Sequence, residues 1–272
     1  MKREEIRVCI LRVGGTNCDV ETRRAFRESK MKAEIVHFNQ LVRQNNLLDY
    51  YVMVVPGGFS HGDYVRAGAI WATRLMAKMR KNIERFVEEE RPILGICNGF
   101  QVLVEAGLLP KFDGISLFPE AALGTNVPPG YNCRWTYLKH ESRGRCVFTK
   151  RIASYSVMRI PVAHSEGRFM FAKEKEEASL DKLLDHDQLV FRYCHSNGEY
   201  ADGQYPLNPN GSFYDIAGIC DPSGTIFGLM PHPERAYFGW QLPDWTKAGA
   251  LPAFADGKLM FDSVAEYLTK KF

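Results

Sequence analysis

Between Ile6 and Gly107 the apolar positions fall into two kinds of block. Ile6 to Val13 is a β-branched run that stops at Gly14 and Gly15, which predicts a strand followed by a turn. Thr16, Asn17 and Asp19 then offer N-cap side chains to a helix reaching about Lys30. The same patterning predicts strands over Ala33 to Phe38, Tyr50 to Val55 and Pro92 to Ile96. It predicts a short helix over Leu41 to Leu48, a long one over Ala67 to Glu90, and another from Asn98 to Ala106 that Gly107 ends. Strands and helices alternating at these lengths imply right-handed crossovers and a mostly parallel α/β sheet flanked by helices.

Beyond Leu117 the character changes. Apolar segments become short and are separated by Gly, Pro, Asn and Asp, so strands and long loops are expected to dominate up to Cys220, among them Asn132 to Leu138, Ser156 to Ile160 and Leu189 to Tyr193. Asp215 to Cys220 and Thr225 to Met230, joined by Asp221-Pro222-Ser223-Gly224, read as a β-hairpin. Leu259 to Lys271 has the spacing of a closing amphipathic helix. No linker or repeat divides the chain, so residues 1–272 are expected to form a single domain with a strand-rich C-terminal half.

Composition narrows the function classes. The chain has 272 residues, 45% of them hydrophobic and 25% charged, the balance of a folded globular protein with a sizeable core. Its net charge of +3 is small and scattered, which argues against a nucleic-acid or membrane-surface partner. The seven cysteines show no C-x-x-C pair and no zinc-ligand spacing, so reduced thiols in a cytoplasm and no metal site are expected. Met1 to Gly14 makes a poor signal peptide and no apolar run approaches the span of a bilayer.

Three motifs carry chemistry. Gly95-Ile96-Cys97-Asn98-Gly99 lies where a predicted strand meets a predicted helix. Small residues two before and two after a nucleophile allow the sharp elbow that exposes it above a sheet, and the helix N-terminus favours the thiolate. The same five residues also suit an inert buried cysteine at a tight turn. Met230-Pro231-His232-Pro233-Glu234 follows another predicted strand; flanking prolines fix the backbone of His232, and Glu234 is near enough in sequence to orient its ring as the acid of a triad. Taken alone, a histidine in such a loop is also an ordinary surface residue. Pro56-Gly57-Gly58-Phe59 closes a third strand, where glycine backbone N–H groups could form an oxyanion hole. No G-x-x-x-x-G-K-[ST] or G-x-G-x-x-G exists in the chain, so this chain by itself is not expected to bind nucleotide.

In their order along the chain these motifs resemble the class I (triad) glutamine amidotransferases, whose fold is flavodoxin-like. The run Cys97-Asn98-Gly99-Phe100-Gln101, the loop PGGFSHGDYVRAGA from Pro56 to Ala69, IPVAHSE from Ile160 to Glu166 and Thr16-Asn17-Cys18-Asp19 are similar to the purine-biosynthetic branch, the glutaminase subunits of phosphoribosylformylglycinamidine synthases. The resemblance implies Cys97, His232 and Glu234 as catalytic residues, backbone N–H groups of Gly58 and Asn98 as the oxyanion hole, and Gly57 and Gln101 as contacts to L-glutamine. It implies no cofactor in this chain, with ATP and Mg bound by a large synthetase partner, and a small accessory subunit besides. Service to another synthetase, or a silent glutamine-sensing role, are the alternatives. A further expectation is a gate: the Gly57–Gly58 peptide resting with its carbonyl inward until a partner turns it over. Two departures stand out. Gly14-Gly15-Thr16 replaces the more usual Pro-Gly-Ser, and the aromatic stretch Ala236 to Asp256 reads as an inserted loop, either packed on the domain or free to dock a partner.

Overall fold

The computed structural model describes residues 1–247 and 249–272. Along the chain run β1 (Arg7–Arg12), α1 (Asp19–Glu28), β2 (Lys32–His37), α2 (Phe38–Gln44), β3 (Val52–Val55), α3 (Ala69–Glu88), β4 (Ile93–Ile96) and α4 (Asn98–Glu105). There follow β5 (Ala122–Gly124), β6 (Asn132–His140), β7 (Val157–His164), β8 (Arg168–Met170), α5 (Glu176–Asp185), β9 (Leu189–Cys194), β10 (Ile216–Cys220), β11 (Ile226–Leu229) and α6 (Lys258–Lys271). Among the described residues nine strands form one sheet in the order β2-β1-β3-β4-β11-β10-β9-β6-β7, and β5 pairs separately with β8.

The sheet has two regimes. From β2 to β11 neighbouring strands are parallel, as the strand and helix alternation predicts; from β11 through β10, β9 and β6 to β7 they are antiparallel. All residues of β3, β4 and β11 are buried, which is the consequence of covering a parallel sheet on both faces. Phe100 on α4 and Phe169 on β8 stack at 6.1 Å, and Phe169 meets Phe171 edge to face at 5.1 Å, so the small second sheet is packed onto the main core through aromatic rings.

Several boundaries differ from the sequence reading for identifiable reasons. Helix α2 begins at Phe38, three residues early, because the His37 ring accepts the Asn39 N–H at 3.2 Å as an N-cap, and it ends where Asn45 turns left-handed (φ 49°). Leu47 and Leu48 consequently fall in a separate 3-10 turn. Cys18, not Asn17 or Asp19, is the N-cap residue of α1, and Asp19 is instead buried in an ion pair with Arg12. Helix α5 lies in the half expected to be strands and loops; it buries only Ser179 and Leu183, so its apolar period is weak. Strand β7 runs four residues past Ile160, through Pro161, which an edge strand accommodates because only one of its sides is paired.

The stretch Ala236 to Asp256 is anchored at both ends. Tyr237 is buried with its ring 5.7 Å from Phe261 and its hydroxyl 3.0 Å from that of Ser29, and Ala255 N–H donates to the Tyr237 carbonyl at 2.9 Å. Further out, Phe238 and Trp240 stack at 5.2 Å beneath the Arg24 guanidinium, and Trp240, Trp245 and Phe254 remain about half exposed.

Candidate active site

Cys97 is the single residue between β4 and α4, and its backbone is turned to φ 52° and ψ −106°. A non-glycine residue there is strained by roughly 1–3 kcal/mol and persists only when its surroundings over-determine it. Here they do. The Cys97 N–H donates to the Leu229 carbonyl of β11 at 2.8 Å, while its carbonyl accepts from Phe100 and Gln101. A Cβ on Gly99 would lie 1.7 Å from the Val55 carbonyl oxygen, so only glycine lets α4 start this close to β3. Cys97 Sγ is 3.7 Å from the Ala163 carbonyl oxygen of β7.

The hairpin of β10 and β11 delivers the second group. Leu229 pairs with Ile96 in parallel register, so the Pro231-His232-Pro233 loop leaves the sheet beside the cysteine elbow. His232 N–H donates to the Pro161 carbonyl of β7 at 2.8 Å. Its Nδ1 lies 2.6 Å from Glu234 Oε1, both side chains being almost wholly buried. Burial opposes a charge on the ring, yet the negative Glu234 and then Cys97 and Cys18 hold the His232 pKa well above its ordinary value. The ring thus carries its proton easily. Nε2 has no aligned hydrogen-bond partner among the described residues.

The Gly57–Gly58 loop lies against this ring: a Cβ on Gly57 would be 2.8 Å from His232 Cε1 and 3.0 Å from Cys18 Sγ. Backbone N–H groups of Asn17 and Cys18 donate to the Gly57 carbonyl at 3.4 and 3.2 Å. In a planar trans peptide the Gly58 N–H then points the opposite way. Among the described residues neither it nor the Asn98 N–H has an acceptor, the latter being one of the free donors that every helix N-terminus leaves. The carbonyl-inward resting state expected for this peptide is therefore not the one observed, because the start of α1 already holds the carbonyl. Gly14 has open space around the position of a Cβ, which explains how glycine and proline can exchange there.

Asn98 ties the loop to the elbow: its Oδ1 accepts the Ser60 N–H at 3.2 Å, and its Nδ2 donates to Asp63 and to Gln101 Oε1 at 3.2 and 2.9 Å. Gln101 in turn donates to the Glu166 carbonyl. Burial, then the nearby Glu166 charge, pushes the Asp63 carboxyl up to about 6, against the Asn98 hydrogen bond. Burial and the neighbouring His232 pull His164 down to about 3. Motif reading gave no task to Cys18, Asp63, Glu166 or Arg235. All four stand at or next to this site, and the only signal for them was their presence inside the longer runs around Asn17, Gly62, Ser165 and His232.

The model of the CobB/CobQ-like glutamine amidotransferase domain matches residues 5–268. The chain belongs to that family. Relatives within it include the phosphoribosylformylglycinamidine synthase subunit PurQ of Archaeoglobus fulgidus, 50% identical over 99% of this chain and 100% of that one. The subunit of the same name from Methanothrix thermoacetophila is 40% identical over 98% and 99% of the two chains. Among solved structures, a chain of PurLQS from Thermotoga maritima superposes with a TM-score of 0.72 at 31% identity, covering 97% of this chain and 99% of that one. The large mixed sheet flanked by helices is thus the amidotransferase fold, and it places the cysteine, histidine and glutamate at the carboxyl ends of adjacent strands, where open α/β sheets form their sites. No helix among the described residues is long and apolar enough to cross a membrane.

Proposed function

We propose that this amidotransferase is the glutaminase subunit of a phosphoribosylformylglycinamidine synthase, hydrolysing L-glutamine and passing ammonia to a synthetase partner. The observation that carries the chemistry is the convergence of Cys97, His232 and Glu234 from two adjacent parallel strand ends. Cys97 yields its thiol proton to His232 and its sulfur attacks the side-chain amide carbon of glutamine, so that the carbonyl oxygen becomes an oxyanion that the Gly58 and Asn98 N–H groups are free to receive. His232 gives its proton to the nitrogen, which leaves as ammonia with its bonding electron pair, and a γ-glutamyl thioester remains on Cys97. Water then loses a proton to His232 and attacks the thioester carbon, releasing glutamate and restoring the thiol. Glu234 keeps the ring oriented and balances its charge throughout. Gly57 and Gln101 would line the glutamine pocket, Gln101 through the loop of Glu166 that it holds.

The nitrogen acceptor follows from the relatives' name: the partner would convert formylglycinamide ribonucleotide to its amidine, with a small accessory subunit in the assembly. ATP and Mg2+ would be bound by the synthetase, in keeping with the absence of any phosphate-loop motif here. A cytoplasmic location belongs to the same proposal and is supported by the unpaired state of the seven thiols. A glutamine-mimicking diazo-ketone tests the assignment of the nucleophile: peptide mapping should find Cys97 alkylated before the other six cysteines. First labelling at Cys18 or Cys133 would refute it.

A further inference from the structure

Beside the elbow two carboxylates lie near each other without a counter-ion. Asp63 Oδ1 accepts from Asn98 Nδ2 at 3.2 Å and Glu166 Oε2 accepts the Ala67 N–H at 3.1 Å, which leaves the second oxygen of each free. Among the described residues neither forms an ion pair, and Arg66, the one arginine of the loop from Pro56 to Ala69, is bound to Glu105 at 2.6 and 2.5 Å. Both carboxylates are partly buried. Burial, then the charge of Glu166, opposes ionisation of Asp63. Like charges partly withdrawn from water are costly unless a cation joins them. The pair is one positive charge short.

Hydrogen bonds tie this pair to the elbow. Asn98 follows Cys97 directly; its amide reaches Asp63 and, at 2.9 Å, Gln101 Oε1, and Gln101 donates in turn to the Glu166 backbone carbonyl. A third acceptor belongs to the same loop. Ser60 is 3% exposed, its N–H donates to Asn98 Oδ1 at 3.2 Å, and its Oγ is buried with no hydrogen-bond partner among the described residues. Two free carboxylate oxygens and an unpartnered hydroxyl, all on groups joined through Asn98 and Gln101, match the three N–H donors and the single charge of a primary ammonium.

We propose that Asp63 and Glu166 bind the α-ammonium group of the substrate amino acid, with Ser60 Oγ as a third acceptor, and so select L-glutamine over amides that lack it. This deepens the glutaminase reading given above and rests on it. With the amide carbon at Cys97 Sγ and its oxygen on the Gly58 and Asn98 N–H groups, the short aliphatic chain of glutamine leads its ammonium to the carboxylates that Asn98 and Gln101 hold. The contact makes no covalent bond and moves no proton. It decides which amide is held at the elbow, while the chemistry stays with Cys97, His232 and Glu234.

The test compares L-glutamine with glutaramate, the same molecule with hydrogen in place of the α-amino group, in the assembled synthetase, following release of glutamate or glutarate. The native assembly should favour glutamine by at least about 100-fold in kcat/KM, because the analogue leaves the carboxylates unpaired. Asp63→Asn and Glu166→Gln each keep the shape and an acceptor for Asn98 or Ala67 while removing a charge. Each should lower kcat/KM for glutamine by about 10- to 100-fold, mainly by raising KM. Glutaramate hydrolysis should change by less than about threefold, so that the preference collapses in a variant whose remaining turnover shows it to be folded. Equal loss with both substrates, or an undiminished preference for glutamine in both variants, overturns the proposal. A native assembly that hydrolyses neither substrate would instead sink the glutaminase reading itself, so the two failures are told apart.

Discussion

The two halves of the sheet contribute to the site in different ways. The parallel half supplies Cys97, the proposed nucleophile, as a local object: Gly95 to Gly99 carry the strand end, the strained Cys97 and the first turn of α4 within five consecutive residues. The antiparallel half supplies support that is almost entirely long-range. Among the described residues edge strand β7 pairs in the sheet with β6 alone, yet its Ala163 carbonyl meets Cys97 Sγ and its Pro161 carbonyl anchors the backbone of His232. Strand β11, parallel to β4 and antiparallel to β10, is the hinge between the regimes. A nucleophile can be encoded in a short motif because its geometry is a matter of backbone torsion. A base must be aimed at it across the fold, and that takes tertiary contacts.

This contrast can be broken at several points. His232→Ala removes the group that the long-range half exists to position, and kcat/KM for glutamine hydrolysis should fall by about 10⁴-fold or more with the fold intact; steady-state kinetics beside thermal melting would measure both. Glu234→Gln should cost less, on the order of 10²- to 10⁴-fold. It also has a pH signature: burial already disfavours the imidazolium, and removing the charge that offsets burial lowers the His232 pKa. The limb of the kcat/KM profile that reports His232 should therefore move to lower pH; an unmoved limb would mean that Glu234 does not set the protonation of the ring.

Gly57→Ala acts from the other side, because the added methyl presses on His232 Cε1 and Cys18 Sγ. A displacement of the base of this kind should lower kcat by roughly 100-fold, with alkylation of Cys97 by the diazo-ketone reduced far less. The smallest effect concerns stability. His164, at the end of β7, has its pKa pulled down to about 3. Its unfolded value is higher, so the unfolded chain takes up a proton that the folded chain refuses as pH falls from about 6.5 toward 3. Denaturant midpoints should decline through that window, and His164→Gln should flatten the decline.

The sequence was most legible where chemistry and torsion are local. The parallel strands, the elbow at Cys97, the hairpin that ends at Leu229 and the Pro-His-Pro-Glu loop all follow from residue pattern. Helix α5 was missed because most of its surface faces solvent, leaving little periodicity to read. The N-cap of α2 was missed because a histidine fills the role usually taken by Ser, Thr, Asp or Asn. The packing of Cys18 beside the His232 ring was invisible for a different reason: the two residues lie far apart along the chain and meet because β1 and β11 flank the β3–β4 pair. Asp63 and Glu166 met in the same way, through the loop that Asn98 latches.

If, as proposed, this chain's part in the synthesis is to generate ammonia at Cys97, removing that thiol should remove the glutamine route and nothing more. The direct measurement is amidine formation by the assembled synthetase containing Cys97→Ala, with formylglycinamide ribonucleotide and ATP, supplied in parallel with glutamine or with an ammonium salt. Glutamine-dependent synthesis should be abolished while ammonium-dependent synthesis stays close to that of the native assembly, since only the nitrogen source has been removed. Synthesis from glutamine at the native rate, or equal loss from both nitrogen sources, would contradict it.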